Sequence, residues 1–244
     1  MRGATLAAQT RVELLLTVRR AESLVVTLGI PVGVLVFFAK VDAANTTLKD
    51  PVTFLVPGVL ALAVMSTAMV SLGIATGYER RYGVLKRLGS TPLSRGGLLA
   101  AKTVNVLVIE VIQAAVLVVV GLALGWPAPG ARLVPAVALL LAGTVAFAGI
   151  GMLLAGTLRA EANLAVANAL FLVLLFFGGM AYPLSRLPAA MEVVARALPA
   201  AALAESVRDV LETGHAFPVG SVLVLGAWAV GAPLAAARWF RWEE

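Results

Sequence analysis

The chain has 244 residues, of which 61% are hydrophobic and only 13% are charged. Soluble globular domains are about half apolar and about a quarter charged, so this composition excludes a soluble enzyme, a disordered chain and a fibrous protein. The absence of cysteine excludes disulfides and thiol catalysis, and the net charge of +6 is typical of basic loops facing an anionic membrane leaflet rather than nucleic acid.

The N-terminal segment, residues 5–20, mixes apolar side chains with arginine and glutamate. This pattern predicts an amphipathic helix that lies in the membrane interface. The charges interrupt the segment, so we do not interpret it as a cleavable signal peptide.

Six stretches nearly free of charge approach or exceed the length of a membrane-spanning helix, which needs about 20 mostly apolar residues. They are residues 23–39, 51–78, 103–131, 133–158, 162–185 and 213–237, and the first is the shortest. Continuous runs of Ala, Leu and Val favour helices over the alternating strands of a membrane barrel. The sequence therefore predicts an all-α polytopic membrane protein, with residues 1–244 forming one transmembrane domain.

The loop after the second span is the most informative segment. Tyr82, Leu85 and Leu88 are three residues apart, so they share one side of a short helix, while charged residues cover the other side. Pro92 prevents the helix from continuing. We predict a cytoplasmic helix over 79–92 whose apolar side contacts a protein partner; the alternative is a basic loop that only fixes the topology.

Within the third span, Glu110 lies eight residues past Lys102, or about 12 Å along a helix. An ionisable group at that depth is a candidate functional site, and Gln113 lies one turn further on. The alternative is that Glu110 pairs with an arginine at the interface.

The longest outer segment, 178–212, remains apolar, but Pro183, Pro188 and Pro199 divide it. We predict short helices that dip back into the membrane, where other parts of the protein cover their backbone.

The distribution of basic residues predicts the orientation of the chain in the membrane. Thirteen basic residues flank the spans on the side of the termini and six on the other side, so both termini are predicted to be cytoplasmic.

The usual sequence signatures of catalysis are missing from the chain. It has no G-x-x-x-x-G-K-[ST] phosphate loop, no H-E-x-x-H zinc motif and no G-x-S-x-G nucleophile elbow, and His215 is its single histidine. We therefore expect a transport subunit, not an enzyme, with no metal site.

Two groups of residues carry a resemblance to a known family. The first fits an E-R-x-x-G-x-L-x-x-L-x-x-T-P-like stretch after the second span: Glu79, Arg80, Gly83, Leu85, Leu88, Thr91 and Pro92. The second precedes the last span: Gly178, Gly179, Tyr182-Pro183, Leu187-Pro188, Leu198-Pro199 and Arg208. With the six-span layout, they make the chain similar to the membrane subunits of type-2 ATP-binding-cassette exporters, in particular the drug- and antibiotic-resistance branch.

The resemblance implies a permease that moves a hydrophobic or amphipathic substrate (a drug, an antibiotic or a lipid) out of the cytoplasm or inner leaflet by alternating access. It implies a separate ATPase subunit that carries the ATP and Mg, so this chain would hold no cofactor. It also implies a second copy of the chain, or a similar permease, in a bacterial inner membrane. The alternative function is an ion-coupled carrier or channel that uses Glu110.

The resemblance also suggests roles for individual residues. The coupling helix that contacts the ATPase would include Glu79, Arg80, Gly83, Leu85, Lys86 and Leu88. Our own hypothesis is that Gly83 permits close backbone approach to the ATPase or to the membrane-proximal helices. In the family the second and fifth spans line the dimer axis, so the substrate path would include Thr67, Ser71, Asn163, Asn168 and Phe171. An asparagine in a span can instead join neighbouring helices, and Gly73-x-x-x-Gly77 favours close helix packing.

Overall fold

The computed structural model of the chain describes residues 21–45, 50–85, 95–127, 130–181, 183–212 and 217–241. All regular structure in these ranges is helical. The longer helices are α1 (Ala21–Asn45), α2 (Pro51–Arg81), α3 (Arg95–Ala123), α4 (Leu133–Thr157), α5 (Ala160–Phe177), α6 (Ala189–Arg196), α7 (Pro199–Leu211) and α8 (Val219–Trp239). The predicted interfacial helix at 5–20 lies outside the described residues.

The membrane-spanning pattern predicted from the sequence is confirmed. Helices α2, α3, α4, α5 and α8 are each long and apolar enough to cross a membrane, and α1 contains the shorter apolar stretch Leu28–Val41. The chain is thus an all-helical polytopic membrane protein, and its shortest apolar helix is the first, as expected.

The third and fifth predicted spans end earlier than expected, at Ala123 and Phe177. A glycine with positive φ follows each of them closely: Gly125 at 96° and Gly179 at 62°. That backbone conformation is strained for other residues and ends a right-handed helix. The apolar runs continue past these turns, so hydropathy alone places the helix ends too late.

Helix α2 lies at the centre of the packed helices. In its apolar window 78% of the residues are buried, against 17% to 39% for the other four long helices. It contacts α1, α3, α4, α5 and α7. Its middle, Met65–Ser71, is π-helical, a rare geometry that changes which side of the helix the following residues face. Movement of α2 therefore affects most of the other helices directly.

The outer segment forms short helices, as its prolines predict. A 3₁₀ turn, Leu184–Arg186, precedes α6, and Pro199 is the first residue of α7. Helix α7 is buried along most of its length, and Leu203 packs against Gly143 of α4 at a position where an added Cβ would lie 2.5 Å from Leu203 Cδ2. Gly143 is ten residues into α4, which corresponds to a depth of about 15 Å. Helix α7 therefore packs against the interior of α4 rather than against its end, and the re-entrant geometry stays a prediction.

Arg208 joins the outer segment to the beginning of α2. Its Nη2 donates a hydrogen bond to the Gly179 carbonyl at 2.9 Å, and its Nε donates to the Phe54 carbonyl at 3.3 Å. The guanidinium carbon also lies 3.7 Å from the centre of the Phe54 ring. A buried arginine is stable only when its donors are satisfied, and these contacts fix α7 against both neighbours.

Candidate functional site

Three successive charged residues, Glu79, Arg80 and Arg81, lie at the C-terminal end of α2 and contact three different parts of the chain. We call it the inner end, because the predicted topology places it on the cytoplasmic side. Glu79 pairs with Lys102 of α3, whose Nζ lies 2.7 Å from the carboxylate. Arg81 pairs with Glu161 in the first turn of α5. Arg80, between them, points elsewhere, because successive side chains on a helix are about 100° apart. The inner end of α2 is therefore a junction of several elements.

Arg80 forms the buried centre of this junction. Its side chain is 5% exposed, its Nη2 donates to the Leu158 carbonyl at 2.6 Å, and its Nη1 lies 3.4 Å from the Arg241 carbonyl. The Arg241 amide in turn donates to the Gly156 carbonyl at 3.0 Å. The last carbonyls of a helix lack partners within it, and Arg80 supplies one for the end of α4.

The sequence-based hypothesis placed Glu79, Arg80 and Lys86 in the coupling helix that contacts the ATPase. Glu79 and Arg80 instead contact residues of their own chain. Their side chains project from the last turn of a central helix and contact the neighbouring helices. Their proposed role towards the ATPase stays a prediction. Lys86 and Leu88 lie outside the described residues, and their proposed role stays a prediction.

Helix α2 ends at Arg81, and a turn follows at Tyr82 and Gly83. Gly83 has a φ of 67°, and a Cβ added there would meet no atom within 4 Å. The positive φ, and not close packing against another atom, therefore accounts for a glycine at position 83. The expected close approach to membrane-proximal helices is not observed among the described residues.

The turn at Tyr82 and Gly83 also separates two residues of the predicted apolar side of the coupling helix, Tyr82 and Leu85. Tyr82 is 64% exposed and stacks on Tyr78, with ring centres 6.1 Å apart, whereas Leu85 is only 4% exposed. The prediction that both side chains share one free apolar side is wrong, because they do not belong to one continuous helix. Within residues 82–85, the described part of the loop, Val84 is also exposed, at 36%, and the three-residue spacing did not indicate it.

Two of the predicted path residues join helices within the chain. Thr67, in the π-helical segment, donates to Gln113 Oε1 of α3 at 2.8 Å. Asn163 of α5 donates to the Gly73 carbonyl of α2 at 2.8 Å. Both side chains are almost fully buried. For Asn163 the contact favours the alternative of hydrogen bonding between helices. Gln113, predicted to lie near Glu110, accepts a hydrogen bond from Thr67.

The other predicted path residues are more accessible. Asn168 is exposed and donates to the Leu164 carbonyl of its own helix at 2.8 Å, so it does not join helices through this bond. Ser71 and Phe171 are half-buried. Of the five residues, Asn168 alone combines an amide with an exposed position, and its role in a substrate path stays a prediction.

The Gly73-x-x-x-Gly77 motif packs as expected. A Cβ at Gly73 would lie 3.0 Å from the Gly151 carbonyl oxygen of α4. One at Gly77 would lie 2.6 Å from Asn163 Nδ2. A side chain at Gly73 would meet the backbone of α4, and one at Gly77 would displace the Asn163 side chain, so the motif allows α2 to approach both helices closely.

Glu110 is 9% exposed and faces α4. Thr144 Oγ1 lies 2.6 Å from Glu110 Oε2, whereas Glu110 Oε1 is buried without a hydrogen-bond partner among the described residues. The same part of the chain shows no ion pair between Glu110 and an arginine, so the interface pairing is not observed. Thr144 was missed by the sequence analysis, since a lone threonine in an apolar run carries no distinguishing pattern.

The described residues contain no group of three or more His, Asp or Glu side chains placed to hold a metal ion. A comparison with curated proteins gave no match. The family model described as ABC-2 type transporter matches residues 6–211, which include the junction at the inner end of α2 and most of the outer segment. With its polytopic helical fold, the chain belongs to the ABC-2 type transporter family and is a transport permease.

Proposed function

We propose that this permease is driven by a separate ATPase subunit that docks on the loop at residues 79–92. The observation that carries the proposal is the junction at the inner end of α2. The exposed Tyr82 and Val84 directly follow a helix end that is bonded to α3, to α5 and to the end of α4. A force applied to this loop therefore reaches several spans at once.

In the proposed cycle, ATP binding in the partner changes the shape of the surface on which the loop rests. The permease has two arrangements, facing inward and outward, and the partner favours one by binding it more tightly. Glu79, Arg80 and Arg81 act as transmitting residues in this scheme. They hold the inner end of α2 to its neighbours so that the helices move together.

The substrate and the assembly belong to the same proposal. We infer a hydrophobic or amphipathic substrate, such as a drug, an antibiotic or a lipid, because the predicted path along α2 and α5 is apolar with few polar groups. A second copy of this chain, or a similar permease, would complete the path beside the exposed Asn168. ATP and Mg would bind the ATPase, and the complex would lie in a bacterial inner membrane with cytoplasmic termini.

Efflux from reconstituted vesicles tests this function. The chain is purified with candidate ABC ATPase subunits from its own genome, and ATP-dependent transport of a hydrophobic dye is measured against a hydrolysis-dead ATPase. Docking is tested with Val84→Asp, and the matched control is Val193→Asp on α6 of the outer segment, also at an exposed valine. We expect Val84→Asp to lose the ATPase during purification and Val193→Asp to keep it; equal retention would contradict docking at this loop.

The buried carboxyl of Glu110 favours one second candidate, an ion-coupled carrier. Such a carrier would transport the dye in response to an imposed ion gradient without any ATPase. Transport that needs the ATPase and ATP, and that is unchanged by Glu110→Gln, would exclude this candidate.

A further inference from the structure

Helix α2 is interrupted in its middle by the π-helical segment Met65–Ser71. Backbone hydrogen bonds in a π-helix run from residue i to i+5 instead of i+4, so the segment holds one residue more than an α-helix over the same stretch. Such interruptions are rare and are frequently found at functional sites. Helix α2 thus consists of two α-helical parts, the N-terminal part Pro51–Val64 and the C-terminal part Leu72–Arg81, joined by the π-helical segment.

The two parts of α2 pack against different sets of helices. The N-terminal part packs mainly against α1, α3 and α7, whereas the C-terminal part packs mainly against α4 and α5. The C-terminal part also carries Arg80, which bonds the Leu158 carbonyl at the end of α4. Any displacement of α4 and α5 relative to the other helices therefore acts on α2 at the segment that joins its two parts.

The π-helical segment contacts α4 through the main chain. A Cβ added at Gly151 of α4 would lie 2.6 Å from the Met69 carbonyl oxygen and 3.1 Å from the Ala68 carbonyl oxygen. One added at Gly73, just beyond the segment, would lie 3.0 Å from the Gly151 carbonyl oxygen. Because Gly73 and Gly151 present no side chains that interlock at this crossing, α2 can shift on α4 here without repacking a core.

Hydrogen bonds from buried side chains hold α2 on both sides of this crossing. Thr67, within the segment, donates to Gln113 Oε1 of α3 at 2.8 Å. Asn163 of α5 donates to the Gly73 carbonyl, in the C-terminal part, also at 2.8 Å. All three side chains are at most 1% exposed. The helix to which α2 is bonded therefore changes from α3 to α5 between Thr67 and Gly73.

We propose that the π-helical segment is the hinge of α2 in the transport cycle, an inference that rests on the proposed function. When the C-terminal part moves with α4 and α5, the segment exchanges π-helical for α-helical hydrogen bonds, and the N-terminal part stays packed against α1, α3 and α7. Hinges are short segments that absorb changes in φ and ψ between rigid elements. A π-helical hinge suits a membrane, because its amides keep acceptors within the helix in both forms.

Deletion of one residue removes the hinge and leaves the packing on both sides in place. Without the half-buried Ser66, the chain has the number of residues that a continuous α-helix requires, so the two parts keep their directions. Deletion of Ala75, half-buried but within the regular C-terminal part, is the matched control. It rotates Arg80 by about 100° relative to the N-terminal part and so breaks its contact with the Leu158 carbonyl.

Both deletions are compared with the unmodified chain in the reconstituted complex with the ATPase. We expect the chain lacking Ser66 to assemble with the ATPase and to hydrolyse ATP. Its ATP-dependent dye efflux should fall at least about tenfold, because only one of the two arrangements of α2 remains. The chain lacking Ala75 should fail to assemble.

Hydrogen exchange measures the hinge without relying on transport. Amide exchange over residues 65–71 is compared by mass spectrometry between the nucleotide-free complex and the complex of a hydrolysis-dead ATPase with bound ATP. We expect the exchange rate of this segment to differ between the two states, because its hydrogen bonds change. Residues 55–62 of the N-terminal part should exchange alike in both states, and so should the joined segment of the chain lacking Ser66.

The outcomes distinguish the hinge from the proposed function. Absence of ATP-dependent efflux by the unmodified complex overturns the proposed function and the hinge with it. If the unmodified complex transports, equal efflux by the chain lacking Ser66 overturns the hinge alone, and so does exchange over 65–71 that is the same in both states. Failure of the chain lacking Ser66 to assemble also contradicts the hinge, because the packing would then require the additional residue.

Discussion

Substitution of Arg80 by glutamine tests whether the inner end of α2 is a structural junction. The change removes a buried guanidinium that donates to the Leu158 carbonyl at 2.6 Å and approaches the Arg241 carbonyl at 3.4 Å. Hydrogen bonds from charged donors contribute about 1.5–3 kcal/mol each, and a buried acceptor left without a partner costs about 1–3 kcal/mol. Because the second contact is long, we expect a loss of about 2–4 kcal/mol in the free energy of unfolding.

The adjacent Arg81→Gln variant is the matched control. Arg81 and Glu161 are 42% and 60% exposed, and exposed ion pairs contribute only about 0–1 kcal/mol. Thermal unfolding of both variants in detergent, followed by tryptophan fluorescence, measures the difference. We expect a clearly lower midpoint for Arg80→Gln and a nearly unchanged one for Arg81→Gln; equal midpoints would refute the assignment of Arg80 as the centre of the junction.

The remaining predictions concern backbone conformation and packing. Gly83→Val should destabilise the loop more than Gly83→Asn, because asparagine tolerates a φ of 67° and valine does not; the thermal midpoints of the two variants compare them directly. Gly73→Leu should cost at least about 1–3 kcal/mol, since its side chain would meet the Gly151 carbonyl, and the yield of monodisperse protein should fall relative to the unmodified chain. Arg208→Gln should cost about 2–4 kcal/mol by removing the cation beside the Phe54 ring, and faster amide hydrogen exchange in the outer segment would report it, whereas unchanged exchange would argue against this contact.

The spans could be predicted from the sequence because a lipid environment leaves the backbone little choice. A long apolar segment must satisfy its peptide groups internally, so composition and length indicate helices without knowledge of their packing. Helix ends were harder to place. At Gly125 and Gly179 the chain turns with positive φ inside apolar runs, and hydropathy does not register that change.

The contacts of the candidate site were largely beyond sequence reasoning. Arg80 bonds carbonyls that are 78 and 161 residues away along the chain, and no local pattern indicates such partners. The three-residue spacing of Tyr82 and Leu85 suggested one apolar side only on the assumption of a continuous helix. The turn at Gly83 breaks that assumption, so Leu85 is buried and Val84 is exposed.

Glu110 shows the opposite case, in which the sequence found the residue but not its surroundings. An ionisable side chain deep in an apolar helix is conspicuous by itself. Its contact with Thr144 and the burial of its Oε1 atom depend on how α3 packs against α2 and α4. That packing is set by long-range contacts rather than by the spacing of residues within α3.

The most direct test of the central claim is the accessibility of residue 84 in the working assembly. The chain has no cysteine, so Val84→Cys introduces a single reactive site. We expect a membrane-impermeant maleimide to label it in inside-out vesicles of the permease alone, and not in intact cells, with the label strongly reduced once the ATPase subunit is bound. Labelling in intact cells, or labelling unaffected by the bound ATPase, would contradict a cytoplasmic loop that couples the ATPase to the spans.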